Sequence, residues 1–236
     1  MGDAAGVGPE IIVKALTSRE VYDMCRPLVI GDMKMLTKAA FQIGSEVVIN
    51  KVGHPDEGGF VHGKIDCLDI ELLPENLPVG KVSAEAGNAA FHFVKKAVEL
   101  AKKGCIQAIC TAPLNKEALH KGGHRYPGHT EILAHLTNTT DYSMMLASPK
   151  LKVIHLTTHQ GLIEAIQSIT PERTYKVIRL AHDTLTRAGF EQPKIAVCGI
   201  NPHAGENGLF GSGEEERQLL PGIEQAAAEG IDAGGP

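Results

Sequence analysis

Aromatic residues are scarce in this chain: no tryptophan, six phenylalanines and four tyrosines among 236 residues. A stacking platform for nucleic-acid bases needs more than that. Basic blocks are missing as well. Twenty-three Lys and Arg face 28 Asp and Glu, a formal net charge of −5, so nucleic acid has no electrostatic footprint to bind. A small anionic substrate stays compatible, because one site can be locally positive on an acidic protein. No apolar stretch approaches the roughly 18 residues of a membrane span, and no secretory leader pattern opens the chain. Both absences point to a cytoplasmic protein with no membrane partner. The five cysteines, Cys25, Cys67, Cys105, Cys110 and Cys198, include no C-x-x-C pair and read as buried free thiols of a reducing compartment. The dinucleotide fingerprint is absent too. In "GDAAGVGPE" the glycines fall at 2, 6 and 8, and no P-loop Lys-Ser/Thr follows. Alone, that stretch shows a tight turn into a helix.

Glycine is abundant, 26 residues on a background that is 43% hydrophobic. This favours an α/β enzyme with many strand–helix turns, as one large domain or two modest ones. "GVGPEIIVKAL" reads as a helix with Pro9 in its first turn, "RPLVIGD" as a strand, "MKMLTKAAFQIG" as a helix closed by Gly44, "EVVINKV" and "IDCLDIEL" as strands around a polar loop at 53–64. The clearest helix is "SAEAGNAAFHFVKKAVELAKKG", residues 83–104, with Ala84, Ala90, Phe91, Val94, Val98 and Leu100 on its apolar side. Then come a strand in "IQAICTAP", a helix in "HTEILAHLTN", strands in "SMMLAS" and "KVIHLTTH", and a helix capped by Thr170 and closed by Gly189. Last are a strand in "PKIAVCGINPH" and a helix interrupted at Pro221. Continuous apolar strands alternating with helices predict a mostly parallel sheet covered on both faces. A polar, glycine-rich stretch near 112–127 divides the chain into domains 1–125 and 126–236. The glycine turn at the start and "EGIDAGGP" at the end lack the strands an α/β chain leads us to expect there, which suggests missing structure at both ends.

Eleven histidines are many for this length, and spacing sorts them. His120 and His124 are four apart, but Gly122 and Gly123 between them argue against one helix. His155 and His159 are also four apart. On a strand that separation spans about 13 Å, too far for one ion at roughly 2 Å per bond, so only one of them can be a ligand. His159 follows "KVIHLTT" and His203 follows "KIAVCGIN", both just beyond the carboxyl ends of strands, where open α/β sheets place their sites. Two imidazoles from two such loops can share a divalent cation; the plainer alternative is that each closes its own loop by a backbone hydrogen bond. In "YPGHTEILAHL", Gly128 allows close backbone approach, and His129 and Thr130 sit at a helix start that favours an anion. Thr130 as a simple cap is the alternative. Asn115 and Lys116, leaving another strand end, offer further polar groups, Lys116 equally reading as solvated.

Together "GDAAGVGPEI", "TAPLNKEAL", "PGHTEILA", "TTHQGL" and "INPHAGENG" resemble, in order and spacing, the 4-hydroxythreonine-4-phosphate dehydrogenases, and the resemblance covers essentially the whole chain. It implies two α/β/α domains like those of isocitrate and isopropylmalate dehydrogenases. It also implies a homodimer with an active site completed by the partner chain, the second domain carrying the metal ligands and the dimer interface. NAD or NADP binds there without a G-x-G-x-x-G loop. A divalent metal (Zn, Mg, Co or Mn) is held by three histidines, two matching His159 and His203; the third, and further substrate-binding Lys, Asn and Arg, lie in a segment that this sequence does not contain. His129 and Thr130 match the substrate-binding pair; no general base is assigned. The wording of "GDAAGVGPEI" and "RYPGHTEILAHL" is similar to the branch acting on 4-phospho-D-threonate or 4-phospho-D-erythronate, with decarboxylation to dihydroxyacetone phosphate. Alternatives are the 4-phosphohydroxy-L-threonine branch of pyridoxal phosphate synthesis and, were the chain truly this short, an inactive binding protein.

Overall fold

Parallel strands organise the first part of the chain. In the computed structural model, which describes residues 1–236, β1 (Leu28–Gly31), β2 (Val48–Val52) and β3 (Lys64–Asp69) form one sheet in the order β1-β3-β2. Both ladders are parallel, with Leu28 opposite Asp66 and Val48 opposite Lys64. Helix α1 (Gly8–Ala15) starts with a proline in its first turn, α2 spans Arg19–Met24, and α3 (Met33–Gln42) crosses from β1 to β2. Asp32 starts α3 because its buried carboxylate accepts from the N–H groups of Lys34 and Met35, and its second oxygen from that of Leu73. The face of α3 bearing Leu36, Ala39 and Ala40 then packs on Val13, Val29, Ile65 and Cys67.

Ser83 caps α4 (Ala84–Lys102) through the Ala86 N–H. Its buried stripe includes Phe93, 1% exposed, in place of the expected Phe91. Phe91 is half-buried and stacks on the His124 ring at 3.8 Å. Helix α5 (Lys116–Lys121) crosses α4 so closely that a Cβ on Gly87 would overlap the Ala118 carbonyl. Helix α6 (His129–Thr137) seats Ile132 against Val94, Val98 and Leu119. That packing explains why the compact units divide after Asn138, into Met1–Asn138 and Thr139–Pro236, whereas composition alone had suggested 125/126. The polar stretch at 112–127 carries α5 between two loops and lies inside the first unit.

The second unit begins with a hairpin. β4 (Met145–Ala147) and β5 (Lys152–Ile154) pair antiparallel, with the Ser148 N–H bonded to the Leu151 carbonyl at 2.8 Å. So short a connection can only join antiparallel neighbours; the other three ladders of the chain are parallel. Helix α7 (Leu162–Ser168) precedes α8 (Pro171–Arg187), which Thr170 caps through the Arg173 N–H. β6 (Ile195–Ala196) pairs with β7 (Ala233–Gly234), and α9 spans Leu220–Ala228. Ile178, Leu219, Ile223, Ala226 and Ile231 form the core. The helix continues through Pro221, but residues Glu215–Leu219 before it take a π-turn. Proline has no N–H to return to the Arg217 carbonyl, and the wider turn accommodates the missing bond.

Two further expectations are corrected. "IQAICTAP" forms no strand, and its strongest tie is the Asp3 N–H to the Pro113 carbonyl at 2.9 Å. An apolar run states that a segment can be buried; a strand also needs a neighbouring edge to bond. The cysteines are all free, but only Cys67 is buried, its thiol pKa pushed up to about 12 chiefly by burial; Cys25, Cys110 and Cys198 are exposed. Cys25 ends a surface helix, and Cys110 and Cys198 lie on segments that no ladder covers.

Candidate active site

Hydrogen bonding separates the histidines into two classes. His54, His62, His92, His120, His124 and His155 each engage a protein partner through a ring nitrogen. His120 meets the Tyr126 carbonyl at 3.1 Å and His124 meets Asn88 Oδ1 at 2.9 Å, so that pair is tied to separate partners. His155 Nδ1 lies 3.2 Å from the Met144 carbonyl, a contact across the hairpin. His129, His135, His159, His182 and His203 have no such bond, and His182 Nδ1, like His129 Nε2, is buried.

In the first unit, Gly128 starts α6 with no side-chain cap. Thr130 therefore does not cap the helix, and its hydroxyl is half-buried at the first turn. His129 Nε2 is buried with no partner, and so is Glu131 Oε2. Burial, with a smaller push from the Met1 amino group, lowers the His129 pKa below its ordinary value, so the ring is neutral near pH 7 and can donate from one nitrogen and accept at the other. A Cβ on Gly128 would touch only Glu131 Oε2, at 3.4 Å, so packing within the chain does not demand a glycine there. Asn115 caps α5 by accepting the Ala118 N–H at 2.9 Å, a structural task its sequence position did not disclose. Lys116 is exposed and unpaired. A depression of about 590 Å³ lined by Met33, Lys34, Thr37, Lys38, Phe41 and Asp69 contains none of the candidate residues.

In the second unit, His159 lies exposed in the turn between β5 and α7 with φ +57. The next residue is anchored, Ser168 Oγ donating to Gln160 Oε1 at 3.1 Å. His203 begins a run of five left-handed residues: His203 (φ 51), Ala204 (φ 52), Gly205 (φ 81), Glu206 (φ 41) and Asn207 (φ 55). Such a conformation costs an L-residue about 1–2 kcal/mol, and it persists only where surroundings over-determine it. The His203 ring is exposed, with Phe210 6.1 Å away centroid to centroid.

The surroundings here are supplied by Glu215, which sequence reasoning passed over. One oxygen of this buried carboxylate accepts from the Ile200 and Asn201 N–H groups at 3.0 and 2.7 Å, and the other from Asn201 Nδ2 at 3.0 Å. Burial pulls its pKa upward, and the hydrogen bonds from Asn201 and Ile200 outweigh that pull and hold it below the usual carboxylate range. The only hint in the sequence was a glutamate on the inner side of a predicted helix, hidden in the run Glu214–Glu215–Glu216.

Neutral imidazoles free of competing bonds have the donor chemistry for zinc and similar cations. No group of three or more His, Cys, Asp or Glu side chains comes together in the chain to hold a metal. No helix is long and apolar enough to cross a membrane.

Residues 23–236 match the family described as pyridoxal phosphate biosynthetic protein PdxA. The D-threonate 4-phosphate dehydrogenase of Cupriavidus necator is 56% identical over 236 residues, all of this chain and 71% of that protein. The crystal structure of a 4-hydroxythreonine-4-phosphate dehydrogenase from Burkholderia phymatum superposes with a TM-score of 0.91 at 55% identity, over 100% of this chain and 72% of that one. A namesake from Klebsiella pneumoniae gives 0.92 at 45% identity, over 100% and 71%. With its α/β units, its glycine turns and the open rings of His129, His159 and His203 in place, the chain belongs to the PdxA family of dehydrogenases.

Proposed function

We propose that this chain carries a metal-dependent NAD(P) dehydrogenase site that oxidises the 3-hydroxyl of 4-phospho-D-threonate or 4-phospho-D-erythronate. The observation that carries the site assignment is that, of the five histidine rings without a hydrogen bond, His129 sits at a helix start and His159 and His203 in turns, whereas His135 and His182 lie within α6 and α8. The substrate class rests on the family and on the name of the Cupriavidus relative.

His159 and His203 would supply two imidazole donors to a divalent cation. When bound, such a cation lowers the pKa of a substrate hydroxyl, and NAD or NADP accepts the hydride. His129 donates to, or accepts from, a substrate oxygen through the nitrogen left without a partner. Thr130 offers a hydroxyl beside it, and the N-terminus of α6 favours negative charge on the substrate. Asn115 Oδ1 is occupied by its cap, which leaves its amide nitrogen and the Lys116 ammonium for anionic groups. Oxidation at C3 places a ketone β to the carboxylate, and loss of CO2 then gives dihydroxyacetone phosphate, a balanced two-electron sequence with one nicotinamide reduced per turnover. The cytoplasm is the compartment this chemistry suits, and a homodimer sharing its site is the assembly.

Nicotinamide reduction by the purified protein with 4-phospho-D-threonate, against 4-phosphohydroxy-L-threonine and with or without chelator, tests the reading. Preference for the first substrate and loss of rate on chelation are expected; preference for the second, which the names of the Burkholderia and Klebsiella structures favour, would move the chain to the other branch. His203→Ala should remove bound metal while changing stability by no more than about 0.5 kcal/mol, as for an exposed side chain. Retained metal and rate would take His203 out of the ligand set.

A further inference from the structure

The run Glu214–Glu215–Glu216 puts three carboxylates in a row, and only the middle one is buried, 3% exposed. It has no Lys or Arg partner. Its charge is held by two backbone N–H groups and one amide, all on Ile200 and Asn201, immediately before the left-handed run. Burying a charge without an ion pair is unfavourable, and it persists where its hydrogen bonds are fully supplied. Two further features match this seat. A Cβ on Gly205 would come within 3.2 Å of Glu215 Oε2, so the glycine clears the approach of the carboxylate. The π-turn at Glu215–Leu219 marks a local departure from regular helix at the residue that faces the turn. Hydrogen bonds from Ala204 N to the Asn201 carbonyl (3.1 Å) and from Phe210 N to the Gly205 carbonyl (3.0 Å) then close the turn.

We propose that Glu215 is the positioning residue of the His203 turn: its buried carboxylate clamps Ile200 and Asn201 and so holds residues 203–207 in the left-handed path that presents the His203 imidazole to a cation. The inference rests on the reading of His203 as a cation donor, and goes beyond it in naming what aims that donor. Glu215 has both carboxylate oxygens engaged by Ile200 and Asn201. It acts through the backbone, and its negative charge behind the turn adds to the attraction for a cation in front of it.

The experiment compares Glu215→Gln, Glu215→Ala, His203→Ala and Ile178→Val, the last a core substitution away from the turn. Zinc and cobalt(II) affinities are measured by calorimetric titration, Tm by scanning calorimetry, and the amide resonances of residues 199–210 by NMR on the metal-free protein. Gln keeps an oxygen for the two backbone donors and sets its amide against Asn201 Nδ2. Glu215→Gln should therefore fold, shift the amides of 200–207, and weaken cation binding about 10–100-fold, as loss of a supporting hydrogen bond does. Glu215→Ala should weaken it further, and if that variant does not fold, Glu215→Gln decides. Ile178→Val should lower Tm and leave affinity alone. Unchanged affinity in Glu215→Gln, beside lost binding in His203→Ala, overturns the positioning role. Unchanged binding in His203→Ala overturns the ligand reading instead. The amide shifts then decide the clamp by themselves, and amides of 200–207 unmoved by Glu215→Gln would overturn it.

Discussion

The first unit, Met1–Asn138, holds most of the buried apolar residues of the chain, whereas Thr139–Pro236 has a small core and keeps its positive-φ non-glycine residues for two turns. In the first, Asp32, Ser83 and Asn115 each start a helix with a side-chain bond, and Phe93, Leu36, Ile65 and Leu119 are almost fully enclosed. In the second, Leu146, Leu151, Leu162, Ile163 and Leu209 are all more than half exposed. Five of the eight non-glycine residues with positive φ belong to it, and all five lie in the turns of His159 and His203. The two units are thus held by different means. Buried area holds the first, and a specific carboxylate braces the segment leading into the His203 turn of the second.

The sharpest way to break that contrast is Phe93→Ala. Removing a side chain 1% exposed between α4 and the sheet should cost about 3–5 kcal/mol, read from denaturant unfolding of the whole chain. A cost under about 1 kcal/mol would show the first unit to be loosely packed after all. A smaller effect of opposite sign is expected from Ala204→Gly in the left-handed run. Relief of the Cβ clash, partly offset by greater freedom of the unfolded chain, should stabilise by about 0.5–1 kcal/mol, measured in the same way. Destabilisation would mean that residue 204 is not strained.

The smallest effect concerns His129, whose folded pKa is lowered by burial. The unfolded chain then binds more protons between that lowered value and about 6.5. The stability contribution is complete above about 6.5 and is lost as pH falls below it. His129→Gln should flatten the Tm-against-pH curve between neutral and mildly acidic pH relative to the parent. His124, also lowered by burial, contributes in the same sense to both proteins, so the difference between the curves is the reading. Identical curves would remove the buried neutral imidazole.

Much of this was legible beforehand, for reasons that differ by element. Pro9, Thr170, Gly44, Gly104 and Gly189 mark helix ends through fixed backbone preferences, and the helices fall where those residues say. The start of α6 at "GHTEILAHL" follows from the same logic, and so does the separation of His120 from His124 by two glycines. Strand "IQAICTAP" was misread because hydrophobicity reports a capacity for burial, while a ladder depends on a second segment. The hairpin β4–β5 was read as two strands but not as antiparallel, since direction comes from the connection at 148–151 and not from the strands. Glu215 escaped because one glutamate among three reads as a solvated face, and a π-turn shifts the phase by which an inner position is counted. Even the left-handed run was visible only as "AGENG", which contains three residues that tolerate positive φ, Gly205, Asn207 and Gly208, and two, Ala204 and Glu206, that do not.

That run has a stereochemical corollary. Mirror-image residues occupy positive φ as readily as natural ones occupy negative φ, so positions 204, 206 and 207 are seats shaped for D-amino acids. Semisynthesis placing D-alanine at 204 should be accepted without rearrangement. L-valine there, branched at the wrong carbon for this handedness, should unwind the turn and swing the neighbouring ring away from where the backbone now points it.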